Sequence, residues 1–193
     1  MVIRPTEQRL LLGSNSPRRR ELMGMLANDF SIAIPHEVDE SYPADMPAVD
    51  VPVYLSGLKA DAYMDELKEN EILITADTVV IHGDRILGKP HDDNEARDML
   101  RLLSDSQHKV VTGVTLTDIR HRRSFATVTE VLFDLLDDSE IDAYIRECRP
   151  MDKAGAYGIQ EWIGAIGIKA INGCYYNVMG LPVHDLYHAL KKF

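Results

Sequence analysis

Three observations predict a mixed α and β chain: short apolar runs that read as buried strands, stretches whose apolar residues recur every three or four positions, and small or proline-containing loops between them. The first run is Arg9–Leu12, and Pro17–Leu26 follows it as a helix with Leu22, Met25 and Leu26 at helical spacing. Ser14 or Ser16 suits the N-cap of that helix, and Pro17 suits its first position, where a missing N–H costs nothing. Arg18, Arg19 and Arg20 then crowd the first turn, the end of a helix dipole that disfavours cations. A bound polyanion relieves that conflict, because free N–H groups and guanidinium forks at a helix start make a phosphate site. The bland alternative is an amphipathic helix with solvated arginines.

Phe30–Ile34 reads as a second short strand ending at Pro35, and His36–Glu40 beyond it holds the three carboxylates Glu37, Asp39 and Glu40. Such a run is either a solvated loop or a place for a hard divalent cation, which prefers carboxylate oxygens. Val51–Glu69 places Val51, Leu55, Leu58 and Ala62 on one helical stripe, with Lys59 at its edge. Glu71–Ile81 is apolar except at Thr75–Thr78, where the run breaks and then resumes. Asp77 between two apolar β segments is costly to bury unless paired or metal-bound, so a site role is favoured over a turn cap.

His82–Arg85 reads as a hairpin turn, and Gly88-Lys89-Pro90 puts Lys89 in a rigid exposed segment. Asp92 and Glu95 form a capping-box pattern opening a helix with Ala96, Met99, Leu100 and Leu103 on one face. Lys109–Ile119 and Phe125–Leu135 read as long strands turning at His121-Arg122-Arg123, and Ser139–Glu147 as a helix with Ile141, Tyr144 and Ile145 inward. Asp152–Gln160 threads Lys153, Tyr157 and Gln160 among small residues, a backbone that can approach a ligand or else a glycine-rich hairpin. Ile166–Ile171 and Cys174–Met179 flank Asn172-Gly173, which predicts a two-residue hairpin; Val183, Leu186, Tyr187 and Leu190 mark a final helix.

The 193 residues suit one domain or two closely joined lobes, and 45% hydrophobic with 27% charged residues is ordinary for a globular chain. A formal net charge of −10 argues against a general binder of nucleic-acid polymers. Met1–Gln8 shows no signal pattern, no apolar run approaches membrane-spanning length, and two cysteines without a pairing motif read as free thiols. A cytoplasmic location without membrane contact is the expectation.

With these stretches in view, the sequence resembles the Maf family of septum-formation-inhibitor-like proteins. The resemblance is carried in order by Ser14–Arg19, Ala76–Val79, Gly88-Lys89-Pro90, His108 with Thr112-Gly113-Val114, Asp152–Gln160 and Gly180-Leu181-Pro182. One departure stands out: Leu103-Ser104-Asp105 replaces the family's Leu-Ser-Gly before the histidine. The resemblance implies an α/β fold of the inosine-triphosphate-pyrophosphatase (Maf/Ham1) kind, a single Maf-like domain over residues 1–193 with a mixed elongated sheet and two lobes around one cleft. It implies hydrolysis of nucleoside triphosphates to the monophosphate and pyrophosphate, with a divalent cation (Mg²⁺ or Mn²⁺), in a homodimer. Gly-Ala-Tyr-Gly-Ile-Gln resembles the branch acting on dTTP and UTP, whose selectivity positions match Arg18, Thr78 and Gln160 and whose proton acceptor matches Asp77.

On that footing Asp77, Lys59 and Lys89 are the expected catalytic residues. Ser14, Ser16, Arg18, Arg19, Thr78, Lys153 and Gln160 are expected to bind substrate, and Glu40 with Asp77 to hold the metal. The rival of a different class is a non-catalytic nucleotide-binding regulator of division or septum formation, which would not need the carboxylates. No Gly-x-x-x-x-Gly-Lys-Ser/Thr loop exists for a P-loop enzyme, and the seven histidines lack zinc-ligand spacing.

Overall fold

The computed structural model describes residues 8–193. The reading of the N-terminus falls mostly on residues 1–7, outside the described residues. The fold is α/β with one mixed sheet. Strands β1 (Arg9–Leu12), β2 (Phe30–Ile32), β3 (Glu71–His82), β4 (Arg85–Leu87), β5 (Gln107–Thr117), β6 (Arg122–Phe133) and β7 (Ile168–Asn172) stand in the order β2-β1-β3-β5-β6-β7, with β4 on β3. Helices are α1 (Pro17–Leu26), α2 (Val51–Asp61), α3 (Asp93–Leu103), α4 (Asp138–Cys148), α5 (Trp162–Gly167), α6 (Tyr175–Met179) and α7 (Val183–Leu190). Two compact units divide the chain: residues up to Asp77 with Thr112–Thr127 and Gly180–Phe193, and residues Thr78–Val111 with Val128–Met179.

In the first unit β1 pairs in parallel with β2 (Leu10↔Phe30) and with β3 (Leu12↔Ile74), the pairing that a crossover helix such as α1 permits. Its core gathers Tyr63, Leu67, Leu73, Ala33 and Ala60. Gly113 of β5 runs against the Pro52 backbone so closely that a Cβ there would meet it at 2.2 Å. In the second unit β4 folds back on β3 (Val80↔Leu87) and β7 runs antiparallel to β6 (Glu130↔Asn172). Leu87, Leu100, Leu103, Phe133, Tyr144 and Ile163 are its buried centre.

Several expectations about elements are corrected. The break foreseen at Thr75–Thr78 does not occur, because each polar group there finds a partner: the Thr75 hydroxyl donates to the Ser56 carbonyl at 2.7 Å, and Asp77 meets Lys59. Strand β3 therefore runs unbroken. The long helix read from Val51 stops at Asp61, where tighter bonds such as Tyr63 N–H to Ala60 O swing Tyr63 and Leu67 into the core. Its buried face is Val51, Leu55, Ser56 and Ala60, with Leu58 and Ala62 only half-buried. Helix α1 buries Leu22 and Met23 and leaves Met25 exposed, and α7 buries Val183, Leu186, Ala189 and Leu190 with Tyr187 half-buried. The turn after β5 runs from Asp118 to His121, with the Asp118 carboxylate accepting from the Arg120 and His121 N–H groups, and Arg122 and Arg123 already belong to β6.

The predicted hairpin at Asn172-Gly173 is replaced by strand β7, a turn at Gly173 (φ +132°) and helix α6. The reason is tertiary. Buried Asn177 donates from its amide to Val110 O and Thr129 Oγ1, both at 3.0 Å, and Thr129 Oγ1 accepts from Cys174 N–H. Those anchors demand a helical turn despite two β-favouring tyrosines. Asp105, where the sequence departs from the family pattern, has φ +49°, a conformation that glycine adopts freely and aspartate tolerates. No helix among the described residues is long and apolar enough to cross a membrane.

Candidate active site

The first unit holds Arg18, Arg19, Glu40, Lys59 and Asp77 of the charged residues singled out in the sequence. Helix α1 opens as expected, with Ser16 as N-cap accepting from Arg19 N–H at 3.4 Å and Pro17 at the first helical position. Ser14 folds under it, its Oγ accepting from Ser16 N–H at 3.2 Å. The loop before the helix is tight at Gly13, where a Cβ would meet the Thr75 methyl at 2.9 Å. No acidic residue occupies the first turn, so the dipole and the arginines leave a net positive helix start.

Arg19 turns back toward the sheet. Its Nε donates to Gly180 O at 2.9 Å and its Nη1 to Ala76 O at 2.7 Å, with Ser14 Oγ at 3.5 Å. The motif Gly180-Leu181-Pro182 thus supplies a carbonyl anchor. Burial pulls the guanidinium pKa below its ordinary value, opposed by the charge of Asp77 and reinforced by Arg18. Arg18 is half-buried and Arg20 exposed.

Lys59 projects from α2 with only 18% of its side chain exposed, and its ammonium meets Asp77 Oδ1 at 2.6 Å and Glu40 Oε1 at 3.0 Å. The sequence placed this lysine on a boundary; the fold makes it the hub of two carboxylates. Of the three acids in the loop after β2, Glu40 is the one paired with it. Among the described residues no group of three His, Cys, Asp or Glu side chains converges as a ready-made metal cage. Two carboxylates turned on one cation nevertheless fit a hard divalent ion that completes its shell with substrate oxygens and water.

The second unit holds Thr78, half-buried directly after Asp77, and exposed Lys89. Gly88, just before that lysine, accepts the Gly155 N–H at 3.0 Å, which ties the Lys89 segment to residues 153–161. Two 3-10 turns, Pro150–Asp152 and Ala154–Ala156, carry that stretch where a hairpin was the alternative. Gly155 has φ +68°, and a Cβ there would press on Val80. Lys153 is buried, with its ammonium 2.7 Å from Asp152 and 3.0 Å from Glu161. Gln160 is exposed at the far end.

Sequence reasoning missed the scaffold behind this stretch. Buried Tyr144 of α4 donates its hydroxyl to Glu161 Oε2 and accepts the Gly158 N–H at 3.0 Å. Burial first, and the Glu161 hydrogen bond second, raise the Tyr144 pKa far above normal, so the hydroxyl stays a donor. Tyr157 bonds His108 Nε2 at 2.7 Å, and both rings pack on Phe133. His108 Nδ1 has no partner among the described residues; burial, then the charge of His82, lowers its pKa to about 3. The available signal was Tyr144 itself, since an inward tyrosine needs a partner for its hydroxyl.

A family model described as Maf-like protein matches residues 9–193. The dTTP/UTP pyrophosphatase of Bacteroides thetaiotaomicron is 50% identical over 183 residues, 95% of each chain. Those of Phocaeicola vulgatus and Parabacteroides distasonis are 50% and 47% identical over 184 and 185 residues, covering 95% and 96% of each chain. Among solved structures, a HAM1 protein from Coxiella burnetii matches with a TM-score of 0.52, over 96% of this chain and 100% of that one, at 14% identity. That likeness speaks to the fold alone.

Proposed function

The chain belongs to the Maf family, and from that premise we propose that it is a nucleoside triphosphate pyrophosphatase hydrolysing dTTP and UTP to the monophosphate and pyrophosphate. The observation that carries the reading is the Lys59 ammonium held between Asp77 and Glu40, in the same unit as the cationic start of α1. A regulator that only bound nucleotide would have no use for two carboxylates set against its cations. Relatives about half identical over nearly their full length bear the name of this activity.

Water attacks the α-phosphorus, and the bond from that phosphorus to the bridging oxygen breaks to release pyrophosphate. Positioning and charge neutralisation lower this barrier more than covalent catalysis does. Arg18 and the α1 N-terminus, with Ser14 and Ser16, receive phosphate oxygens; Arg19 stiffens that start through its two carbonyl anchors. Asp77 orients the water and accepts its proton, while Lys59 and Lys89 offset charge on the leaving pyrophosphate. Glu40 and Asp77 would hold a divalent cation, Mg²⁺ or Mn²⁺, which when bound neutralises the substrate charge. Gln160 and Thr78 face selection of the base, with Gln160 offering a carbonyl and an N–H to the N3–H and O4 edge of uracil or thymine.

We place the protein in the cytoplasm as a homodimer of single Maf-like domains, without a nucleic-acid polymer as partner. The reading is supported by two free cysteines, exposed Trp162 and Ile166, and the acidic net charge. Pyrophosphate release with Mg²⁺ across dTTP, UTP, CTP and modified nucleotides tests the activity, with dTTP and UTP expected to turn over fastest. Uniform inactivity with tight nucleotide binding would instead favour the regulator of division.

A further inference from the structure

The expectation that the histidines lack paired-ligand spacing is corrected on α7. His184 and His188 stand four positions apart in His-Asp-Leu-Tyr-His, the spacing at which helical zinc sites place two histidines on one face. The fold brings their rings together, with centroids 4.7 Å apart and planes crossed at 61°. Both side chains are exposed, because Val183, Leu186, Ala189 and Leu190 take the buried face of the helix. Two imidazoles binding one ion at about 2.0–2.1 Å, at an angle between a right angle and a tetrahedral one, hold their ring centres about 4.5–5.2 Å apart. The observed separation falls inside that interval.

We infer that His184 and His188 form a binding site for a divalent transition metal that prefers imidazole, namely Ni²⁺, Cu²⁺ or Zn²⁺, with water completing its shell. The site differs in chemistry from the carboxylates Glu40 and Asp77, which suit a hard cation. Two protein ligands make it an open site, in keeping with the lack of any three-residue cage among the described residues.

The support behind His184 is what separates this pair from two surface histidines that merely adjoin. Its Nδ1 lies 2.9 Å from Asp185 Oδ1, and Asp185 Oδ2 accepts the Thr127 hydroxyl at 2.6 Å. A carboxylate only accepts hydrogen bonds, so Nδ1 carries the hydrogen and the lone pair of the neutral ring stands on Nε2. Ligating histidines are oriented in this way, through a ring N–H held on a carboxylate that is itself hydrogen-bonded. Thr127 belongs to β6, so the His184 ring is referred to the sheet and not to its own helix alone. Asp185 also places negative charge in the first turn of α7, where the helix dipole by itself would repel a cation.

Titration calorimetry of tag-free protein with NiCl₂ and with ZnCl₂ tests the site, with excess Mg²⁺ present to occupy the carboxylates. The wild type is expected to bind one Ni²⁺ per chain saturably, and its melting temperature to rise with the metal. Asp185→Asn, which keeps the shape but loses the charged acceptor, should weaken that affinity about tenfold or more. His188→Gln removes a ligand outright and should weaken it further. His188 is exposed and its replacement leaves the core untouched; if Asp185→Asn fails to fold, His184→Gln takes its place and should match His188→Gln. The site stands or falls apart from the pyrophosphatase reading, since neither histidine enters the proposed chemistry. Absence of saturable binding of both ions by the wild type overturns it, as does wild-type affinity retained in His188→Gln.

Discussion

The cluster around Lys59 and the stretch 153–161 are both polar sites, yet they are secured in opposite ways. Around Lys59 the bonds run between charged side chains: Asp77, Glu40 and one ammonium, with more than half of the Glu40 side chain exposed. In 153–161 they run through groups sunk in the core, namely Tyr144, Tyr157, His108 and Lys153. Ion pairs that touch water contribute little net stability and exchange partners readily. Buried hydrogen-bonded groups are costly to disturb, because each lost partner leaves a desolvated polar atom. Under the proposed activity, the first region is suited to giving up its internal pairs for phosphate and water, and the second to keeping one shape while a base is compared with it.

That contrast is easiest to break at Asp77. Asp77→Asn keeps the volume in strand β3 and removes the proposed proton acceptor. The expected loss is about 10²–10³ in kcat, with thermal stability changed little. Turnover near that of the wild type would take the base assignment away from Asp77, and a collapse of stability would show the cluster to be scaffold.

The second region yields a pH signature in stability. His108 is neutral in the fold, its pKa lowered to about 3 from 6.5 by burial and then by His82, whereas the unfolded chain protonates it near 6.5. Between those values the unfolded state binds the extra proton, so the stabilisation is complete above pH 6.5 and is lost as pH falls toward 3. From neutrality to pH 5 the loss is about 2 kcal/mol from this residue. Denaturant titrations at both pH values, repeated on His108→Gln, check it: the variant should be less stable at neutral pH and show a flatter pH dependence. Equal slopes would mean that His108 is not the group responsible.

How far the sequence revealed each region follows from the same contrast. Arg19 and Asp77 were visible because each breaks a local rule, a cation at a helix start and an acid inside an apolar strand. The Lys59–Glu40 pair was not visible as a pair, since it joins residues on separate elements. Strand and helix alternation was legible from periodicity, as were the Asp92 cap and the Gly83 turn. The reciprocal bond read for Glu95 reaches His91 N–H instead, and the full capping box belongs to Asp137 and Glu140. Helix α6 and the Tyr144–Glu161–Lys153 network stayed hidden because both depend on long-range partners, for which neighbours in the chain carry no pattern.

The smallest effect expected tests whether the Lys59 region needs looseness in its own support. Gly57 lies inside α2, two residues before Lys59, with nothing within 4 Å of where a Cβ would stand and no positive φ. Gly57→Ala should therefore stabilise the fold by about 0.5–1 kcal/mol, by reducing the freedom of the unfolded chain and favouring the helix. A higher melting temperature with unchanged kcat would mean that the ammonium reaches both carboxylates from a rigid helix. A higher melting temperature with a lower kcat would mean that α2 must give for the pairs to open, and the exchange of ion pairs for substrate would then be a motion of the backbone as well as of side chains.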